Sequence, residues 1–354
     1  MDVLIFGGTG AIGSHVSEFL KAKGYNIYIT SRSRRESSEN ISYLQGNAKE
    51  LAFVNKLCQR HWDVIIDFMV YSLDELKERI NTILESTNQY IFISSARVYA
   101  DSPIIKEDSP RLLDVCQDEE YVASNEYAIA KAKEENVLFE SQYKNWTIVR
   151  PSLTYAENRL QLGVYEKENW LYRALHGRSI VFSKDLMDRY YTLSYGKDVA
   201  DGIAQLVGKQ ESIGQAFHIV IKESFQWKEI LNIYLDAIEE KTGRRPKVVL
   251  TEKCTNLQLP YAKYQVLYGR YFNRHFDNEK ICKLVDTSGW LLPKDGLKKC
   301  IDLFLEDQKF SDIDWHKEAL IDKAAGEWTP LKEIPGNKMK IKYLMWRILG
   351  GIFC

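Results

Sequence analysis

Tyr127-Ala-Ile-Ala-Lys131 places a phenol and an ammonium four residues apart. On a helix that spacing sets both on one face. A free phenol titrates near pKa ~10, too high to serve as a base at neutral pH. A neighbouring cation favours phenolate and brings that value down. Such a phenol can take or return the proton of a substrate hydroxyl while hydride leaves or rejoins the same carbon. Ser95, in the run Ser94-Ser95-Ala96-Arg97-Val98-Tyr99, can hydrogen-bond the same oxygen and orient it. Chance alone produces YxxxK often in a chain with 21 Tyr, so the weight here comes from order. A glycine turn comes first, then a strand-end Ser, then the Tyr–Lys pair, then the strand Thr147-Ile-Val-Arg-Pro151.

The glycine turn is Gly7-Gly8-Thr9-Gly10-Ala11-Ile12-Gly13, with glycines at 7, 10 and 13 between a strand and a helix. Glycine permits the tight turn and lets backbone N–H groups approach a pyrophosphate, and the helix N-terminus adds partial positive charge. Strand–turn–helix context is what confirms such a motif. The expected dinucleotide contacts are Gly7, Thr9, Gly10, Ala11, Ile12 and Gly13, then Ser31 and Arg32. Asn47, Phe68, Met69, Ser94, Tyr127, Lys131 and Pro151 complete the set. An NAD site usually presents an acid about 20 residues past the glycines. Here Arg32, Arg34 and Arg35 stand with Ser31 and Ser33 instead. A guanidinium takes a 2′-phosphate in bidentate fashion, so the reading favours NADP(H) over NAD(H), against a plain solvated basic loop. Asn47 could meet the adenine edge.

These residues need a framework, and the first half of the chain supplies its pattern. Apolar runs at Val3–Phe6, Asn26–Thr30, Asp63–Asp67, Tyr90–Ser95 and Trp146–Arg150 read as strands. Helical patterns lie between them, over Ala11–Lys23 with Gly24 as the stop, Leu51–Arg60, and Ser72 to about Ser86. A long helix is expected within Glu119–Tyr143. Near-continuous apolar strands alternating with helices indicate a parallel sheet covered on both faces. The expected fold is therefore α/β: a Rossmann-type doubly wound parallel sheet with a smaller C-terminal α/β substrate domain. Residues 1–155 plus about 192–222 form the first domain, because the run Ala216–Ile221 returns to the large sheet. Residues 156–191 and 223–320 form the second, and 321–354 reads as an appended tail.

Together these motifs resemble the extended short-chain dehydrogenase/reductase family, which holds the sugar-nucleotide epimerases, dehydratases and reductases. The resemblance runs from Met1 to about residue 305. It rests on Gly7, Gly10 and Gly13, the run Ser94 to Tyr99, Tyr127 with Lys131, and Arg150-Pro151. Lys197-Asp198-Val199-Ala200 and the segment Phe276 to Lys280 ahead of Gly289-Trp290 extend it. It implies Ser95, Tyr127 and Lys131 as catalytic residues, a nucleoside-diphosphate sugar as substrate, and a homodimer formed through the long helices. The family's 4,6-dehydratases carry an Asp-Glu pair after the catalytic hydroxyl residue; here Ala96 and Arg97 stand there, which disfavours water elimination. Ser95-Ala96-x-Val98-Tyr99 is more similar to a 4-epimerase, acting through a transient keto sugar. The arginines after the second strand suit an NADPH-dependent keto-sugar reductase. Candidate substrate cations are Arg97, Arg159, Arg189 and Arg270. Some relatives of this fold are non-catalytic or RNA-associated; the intact Tyr–Lys pair argues against that here.

Bulk properties narrow the classes. The net charge of -1 gives no general attraction to nucleic acid or anionic lipid. The six cysteines form no CxxC pair and none has zinc-finger spacing to a histidine, so no metal is expected and the thiols read as reduced. No signal peptide and no spanning segment is expected, which points to the cytoplasm. One segment stands apart: 337–354, NKMKIKYLMWRILGGIFC, mixes lysines with aromatic and aliphatic residues. Such segments can lie in a bilayer interface, giving weak peripheral membrane contact, or can pack on the protein body or on a second subunit.

Overall fold

The computed structural model describes residues 1–257 and 262–349, and the chain divides into two compact units. Unit 1 holds Met1–Thr154, Thr192–Glu223 and Phe276–Leu291. Unit 2 holds Tyr155–Tyr191, Ser224–His275 and the chain from Leu292 onward.

Unit 1 is built on seven strands: β1 (Asp2–Phe6), β2 (Asn26–Ser31), β3 (Ile41–Gln45), β4 (Trp62–Asp67), β5 (Thr87–Ile93), β6 (Trp146–Pro151) and β7 (Gln215–Ile219). They lie in the order β3-β2-β1-β4-β5-β6-β7 and every neighbouring pair is parallel. This is a Rossmann-type sheet, as the sequence pattern requires. Period-two alternation divides its side chains between two cores. Val3, Ile5, Ile27, Val64 and Ile91 join one, and Leu4, Phe6, Ile65, Tyr90 and Ile148 join the other.

Helices α1 (Ala11–Ala22), α2 (Leu51–Leu57), α3 (Leu73–Glu85), α4 (Tyr127–Glu140) and α5 (Gly196–Leu206) belong to this unit. The stop after α1 is the left-handed Gly24, φ 75°. Ser72 starts α3 through a capping box with Glu75, fixing the helix's first turn from both ends of the motif. The expected long helix within 119–143 is in fact two. A short helix, Glu119–Ala123, ends before Asn125, whose φ of 55° breaks the ladder, and α4 begins at Tyr127. Residues 276–291, assigned to the second domain by sequence, pack on unit 1. Asp277 N donates to Ile105 O at 2.9 Å, Asn278 Nδ2 to Val220 O at 2.7 Å, and Trp290 Nε1 to Asp201 at 3.0 Å.

Unit 2 contains helices Lys167–Leu175, Trp227–Thr242, Pro293–Glu306, Trp315–Ala325 and Gly336–Leu349. A parallel pair, Ile180–Ser183 with Val248–Thr251, accompanies them. Trp170 stacks on Tyr234 with ring centroids 4.5 Å apart. The segment read as an appended tail is part of this unit through its described residues. Fully buried Arg173 reaches Glu318 and Asp322, each at 2.6 Å, and Glu327 at 2.9 Å. Tyr343 is buried and its hydroxyl donates to Asp322 at 2.6 Å. Charged residues at such depth must be paired, and these pairs fasten the last helices down. The remainder of that segment, 350–354, lies outside the described residues.

Candidate active site

The glycine turn joins β1 to α1. Gly7 has a φ of 70°, a left-handed conformation that glycine accepts freely. A Cβ on Gly13 would sit 2.7 Å from Gly8 Cα, so α1 rests directly on the turn's backbone. Gly8, which the sequence spacing passed over, is constrained as tightly: its Cβ would meet Ile5 Cγ2 at 2.6 Å. Gly10 differs, since a Cβ there meets nothing within 4 Å. It caps α1, whose first turn carries no acid. Thr9 and Gly10 are exposed, and Ile12 packs partly into the core. An open glycine before an uncompensated helix N-terminus fits a dinucleotide pyrophosphate.

At the end of β2, Ser31 is buried and its hydroxyl donates to Ser33 O at 2.8 Å. Arg32 and Arg34 are exposed and form no ion pair among the described residues, while the Arg35 guanidinium lies 5.7 Å from the Tyr43 ring centre. Asn47 is turned to its own loop: its Oδ1 accepts from Lys49 N at 3.1 Å. After β4, half-buried Phe68 and Met69 flank Gly7, and a Cβ on that glycine would touch Met69 Sδ at 3.0 Å.

Asp67, read from sequence only as the end of a strand, closes β4 in full burial. Its carboxylate accepts from Met69 N at 2.8 Å, Tyr71 at 3.1 Å and Tyr90 at 2.9 Å. Burial pushes its carboxyl up to about 6, against the pull of these donors and of Lys131. The apolar run Val64-Ile-Ile66 around it signalled only a strand.

Beyond β5 the chain turns through a short 3₁₀ helix, Ala96–Val98, capped by Ser95, whose Oγ accepts from Arg97 N at 3.2 Å. The Ser95 hydroxyl proton meets no acceptor among the described residues. Arg97 pairs with Glu126 at 2.7 Å and lies 5.6 Å from the Tyr127 ring centre, which brings this turn onto the start of α4. Tyr127 is the first residue of α4 and is 42% exposed. Lys131, one turn on, is buried. Its ammonium donates to Glu134 Oε2 at 2.7 Å and lies 4.7 Å from the Phe92 ring centre. Burial pushes Glu134 upward, and Lys131 opposes that. The cation expected to act on Tyr127 thus has a carboxylate partner of its own, which sequence spacing did not disclose.

Glu135 fixes this helix in place. Fully buried, it accepts from Ser94 Oγ at 2.7 Å and from Arg150 Nε and Nη2, each at 2.8 Å. Arg111 adds a contact at 3.3 Å. The bidentate Arg150 contact ties α4 to β6, and the Ser94 contact ties it to the end of β5. Ser94 and Arg150 therefore serve the framework, and Pro151 closes β6 in burial.

The other candidate substrate cations lie in unit 2. Arg159 is exposed and faces Glu166 at 3.7 Å, and Arg189 is exposed. Arg270 is buried, donating to Gly163 O at 2.8 Å and to the Tyr191 hydroxyl at 2.7 Å. Its guanidinium is thereby built into the packing of that unit rather than presented to solvent. Among the described residues no cluster of His, Cys, Asp and Glu is arranged to hold a metal, and no helix is long and apolar enough to cross a membrane.

The model of the NAD dependent epimerase/dehydratase family matches residues 3–221. The chain belongs to this family. The match takes in the glycine turn, the Ser95 turn, the Tyr127–Lys131 pair and the sheet through β7. Similar solved structures include epimerase Mth375 from Methanothermobacter thermautotrophicus, 16% identical, TM-score 0.66, covering 86% of this chain and 92% of that one. UDP-glucuronic acid 4-epimerase from Bacillus cereus, in complex with UDP-glucuronic acid and NAD, is 15% identical with TM-score 0.63. It covers 86% of this chain and 100% of its own. Bordetella bronchiseptica WbmH, in complex with NAD+, is 16% identical with TM-score 0.64, covering 86% and 99%. At these identities the likeness is one of fold. Among curated proteins, the chloroplast stem-loop binding protein of 41 kDa b from Arabidopsis thaliana is 26% identical over 234 residues, 61% of this chain. The chain spans 58% of that relative's length.

Proposed function

We propose that this epimerase/dehydratase family member inverts a hydroxyl-bearing carbon of a nucleoside-diphosphate sugar through a transient keto sugar. The observation that carries the reading is Tyr127, exposed at the first turn of a helix whose buried charged residues are all paired, beside the Ser95 turn. A nicotinamide dinucleotide, when bound, supplies reversible hydride acceptance. The turn from Gly7 to Gly13 and the first turn of α1 would hold its pyrophosphate. Tyr127 takes the sugar hydroxyl proton as the carbonyl forms and returns it when the alcohol is restored. Ser95, with its hydroxyl proton uncommitted, donates to the same oxygen and steadies it. Ala96 and Arg97 provide no acid–base pair for expelling water, so the ketone persists only until it is reduced again. The epimerases in the solved complexes support this substrate class.

The exposed Arg32 and Arg34 favour NADP(H) and hence a second reading, an NADPH-dependent keto-sugar reductase. Incubation with UDP-hexoses and UDP-hexuronates, followed by NMR of the products, tests the proposal. An epimer formed without net cofactor consumption is the expected result. Stoichiometric deuterium transfer from deuterated NADPH would establish the reductase instead. A 4-keto-6-deoxy product would restore elimination. The curated relative's name supports a third reading, an RNA-associated protein. Retarded migration of a stem-loop RNA, together with no turnover on any sugar nucleotide, would favour it. A homodimer through the long helices, cytoplasmic placement and a sugar-binding role for unit 2 are parts of the same proposal.

A further inference from the structure

A surface helix is held by one apolar stripe. The helix Gly336–Leu349 has two. Met339, Tyr343, Leu344 and Trp346 pack against Trp315, Ala319 and Ile334. On the opposite side Ile341, Met345 and Ile348 are 60%, 48% and 63% exposed. At about 100° per residue these three fall within roughly 60° of one another, with the middle of that arc nearly opposite Tyr343. Lys338 and Lys342 flank one edge of this stripe; beyond the other edge come Leu344 and then half-buried Lys340 and Arg347, toward the packed face, where Arg347 Nε donates to Glu327 O at 3.0 Å.

The helix has four basic residues, Lys338, Lys340, Lys342 and Arg347, and no acidic one. The three lysines form no ion pair among the described residues. Acids of the preceding segment are turned inward instead. Glu318, Asp322 and Glu327 meet Arg173, and Glu333 meets Arg178. What faces outward is an apolar stripe flanked on one side by the unpaired Lys338 and Lys342.

We propose that this face docks on an anionic lipid bilayer, lying in the plane of the interface. An anionic surface satisfies both the stripe and the lysines flanking it, whose aliphatic stems bury while the ammonium groups reach the headgroups. A second copy of the chain would bring the same lysines against these in a two-fold contact, and like charges would oppose it. The 14-residue helix is about 21 Å long, too short to span, which leaves the in-plane orientation.

Co-sedimentation of the full chain with phosphatidylcholine vesicles, with and without phosphatidylglycerol, tests this. The protein should pellet with the anionic vesicles only, and less as salt rises. The double variant Ile341→Glu/Ile348→Glu should bind at least about tenfold more weakly, with an unchanged circular dichroism spectrum. The triple variant Lys338→Gln/Lys340→Gln/Lys342→Gln, which leaves the apolar stripe intact, should weaken binding at least as much. Failure of the folded wild type to pellet with anionic vesicles would overturn the proposal, as would binding unchanged in both variants. A wild-type dimer that ignores vesicles and dissociates in the double variant would assign the face to a second copy.

Discussion

In the proposed reaction Tyr127 is the residue on which the chemistry turns, and its exposure makes the test clean. Tyr127→Phe should lower kcat by about 10²- to 10⁴-fold on the true sugar nucleotide, the usual range for a lost general acid–base group. Melting temperature and calorimetric cofactor affinity should stay at wild-type values; near-normal turnover would remove Tyr127 from the proton path. Lys131 is different in kind, because it shares its burial with Glu134 at 2.7 Å. Lys131→Met leaves a carboxylate in low dielectric with no partner, a change that costs about 3–5 kcal/mol. The double variant Lys131→Met/Glu134→Gln should recover most of that loss in chemical denaturation, and simple additivity of the two single changes would show the pair to be uncoupled. Arg32 belongs to this scale too. Calorimetry should show NADP(H) binding more tightly than NAD(H), with the preference falling about tenfold in Arg32→Ala, the worth of one charge-assisted contact. Equal or tighter binding of NAD(H) by the wild type would instead strengthen the epimerase reading. The order of the motif residues was legible in the sequence because each has a recognisable type. Glu134, Glu135 and Asp67 were not, because a buried carboxylate is written with the same letter as a surface one.

At the level of elements, the turn between β1 and α1 separates two uses of glycine. Gly13→Ala would drive a methyl against Gly8 Cα, where only backbone can yield, so α1 must move. Overpacking of this kind costs about 1–3 kcal/mol, and both stability and dinucleotide affinity should fall. Gly10→Ala meets open space, so its melting temperature should match or exceed wild type while dinucleotide affinity drops. If Gly10→Ala binds the cofactor normally, the pyrophosphate does not approach this turn. Most of the sheet was readable, since β1, β4 and β6 are apolar runs of ordinary strand length between turn signals, whereas the half-buried edge strand β3, Ile-Ser-Tyr-Leu-Gln, has no such run. The break before α4 was not. Ser124-Asn125 offers no proline or glycine, and although Asn tolerates the left-handed conformation that the exposed Asn125 adopts, an Asn is also common on a helix surface and so is a weak stop signal. That break places Tyr127 at a helix start.

On the scale of the whole molecule, the buried charges of unit 2 govern its response to pH. Burial raises the Glu318 carboxyl to about 7, from an ordinary value of 4.5. Arg173 opposes the shift, and Asp322, which shares that arginine, adds to it. Between about pH 4.5 and 7 the folded state then holds a proton that the unfolded state releases. The contribution of Glu318 is greatest below that window and is lost as pH rises through it. Glu318→Gln should therefore gain in melting temperature relative to wild type as pH climbs from 4.5 to 7, and parallel pH profiles for the two proteins would refute the assignment. Nothing in the local sequence announces this network: Arg173 lies 145 residues from Glu318 and 149 from Asp322. Short-range patterns register helices and turns, and they are blind to partners that far apart. The same separation sets a timetable for biosynthesis. At about 5–20 residues per second, Arg173 leaves the ribosome on the order of 10 s before the first of its carboxylates. During that interval the Lys167–Leu175 helix has no ionic reason to bury its arginine. Unit 2 must therefore finish folding after translation of its last helices, while the first six strands of the Rossmann-type sheet are already available to pair.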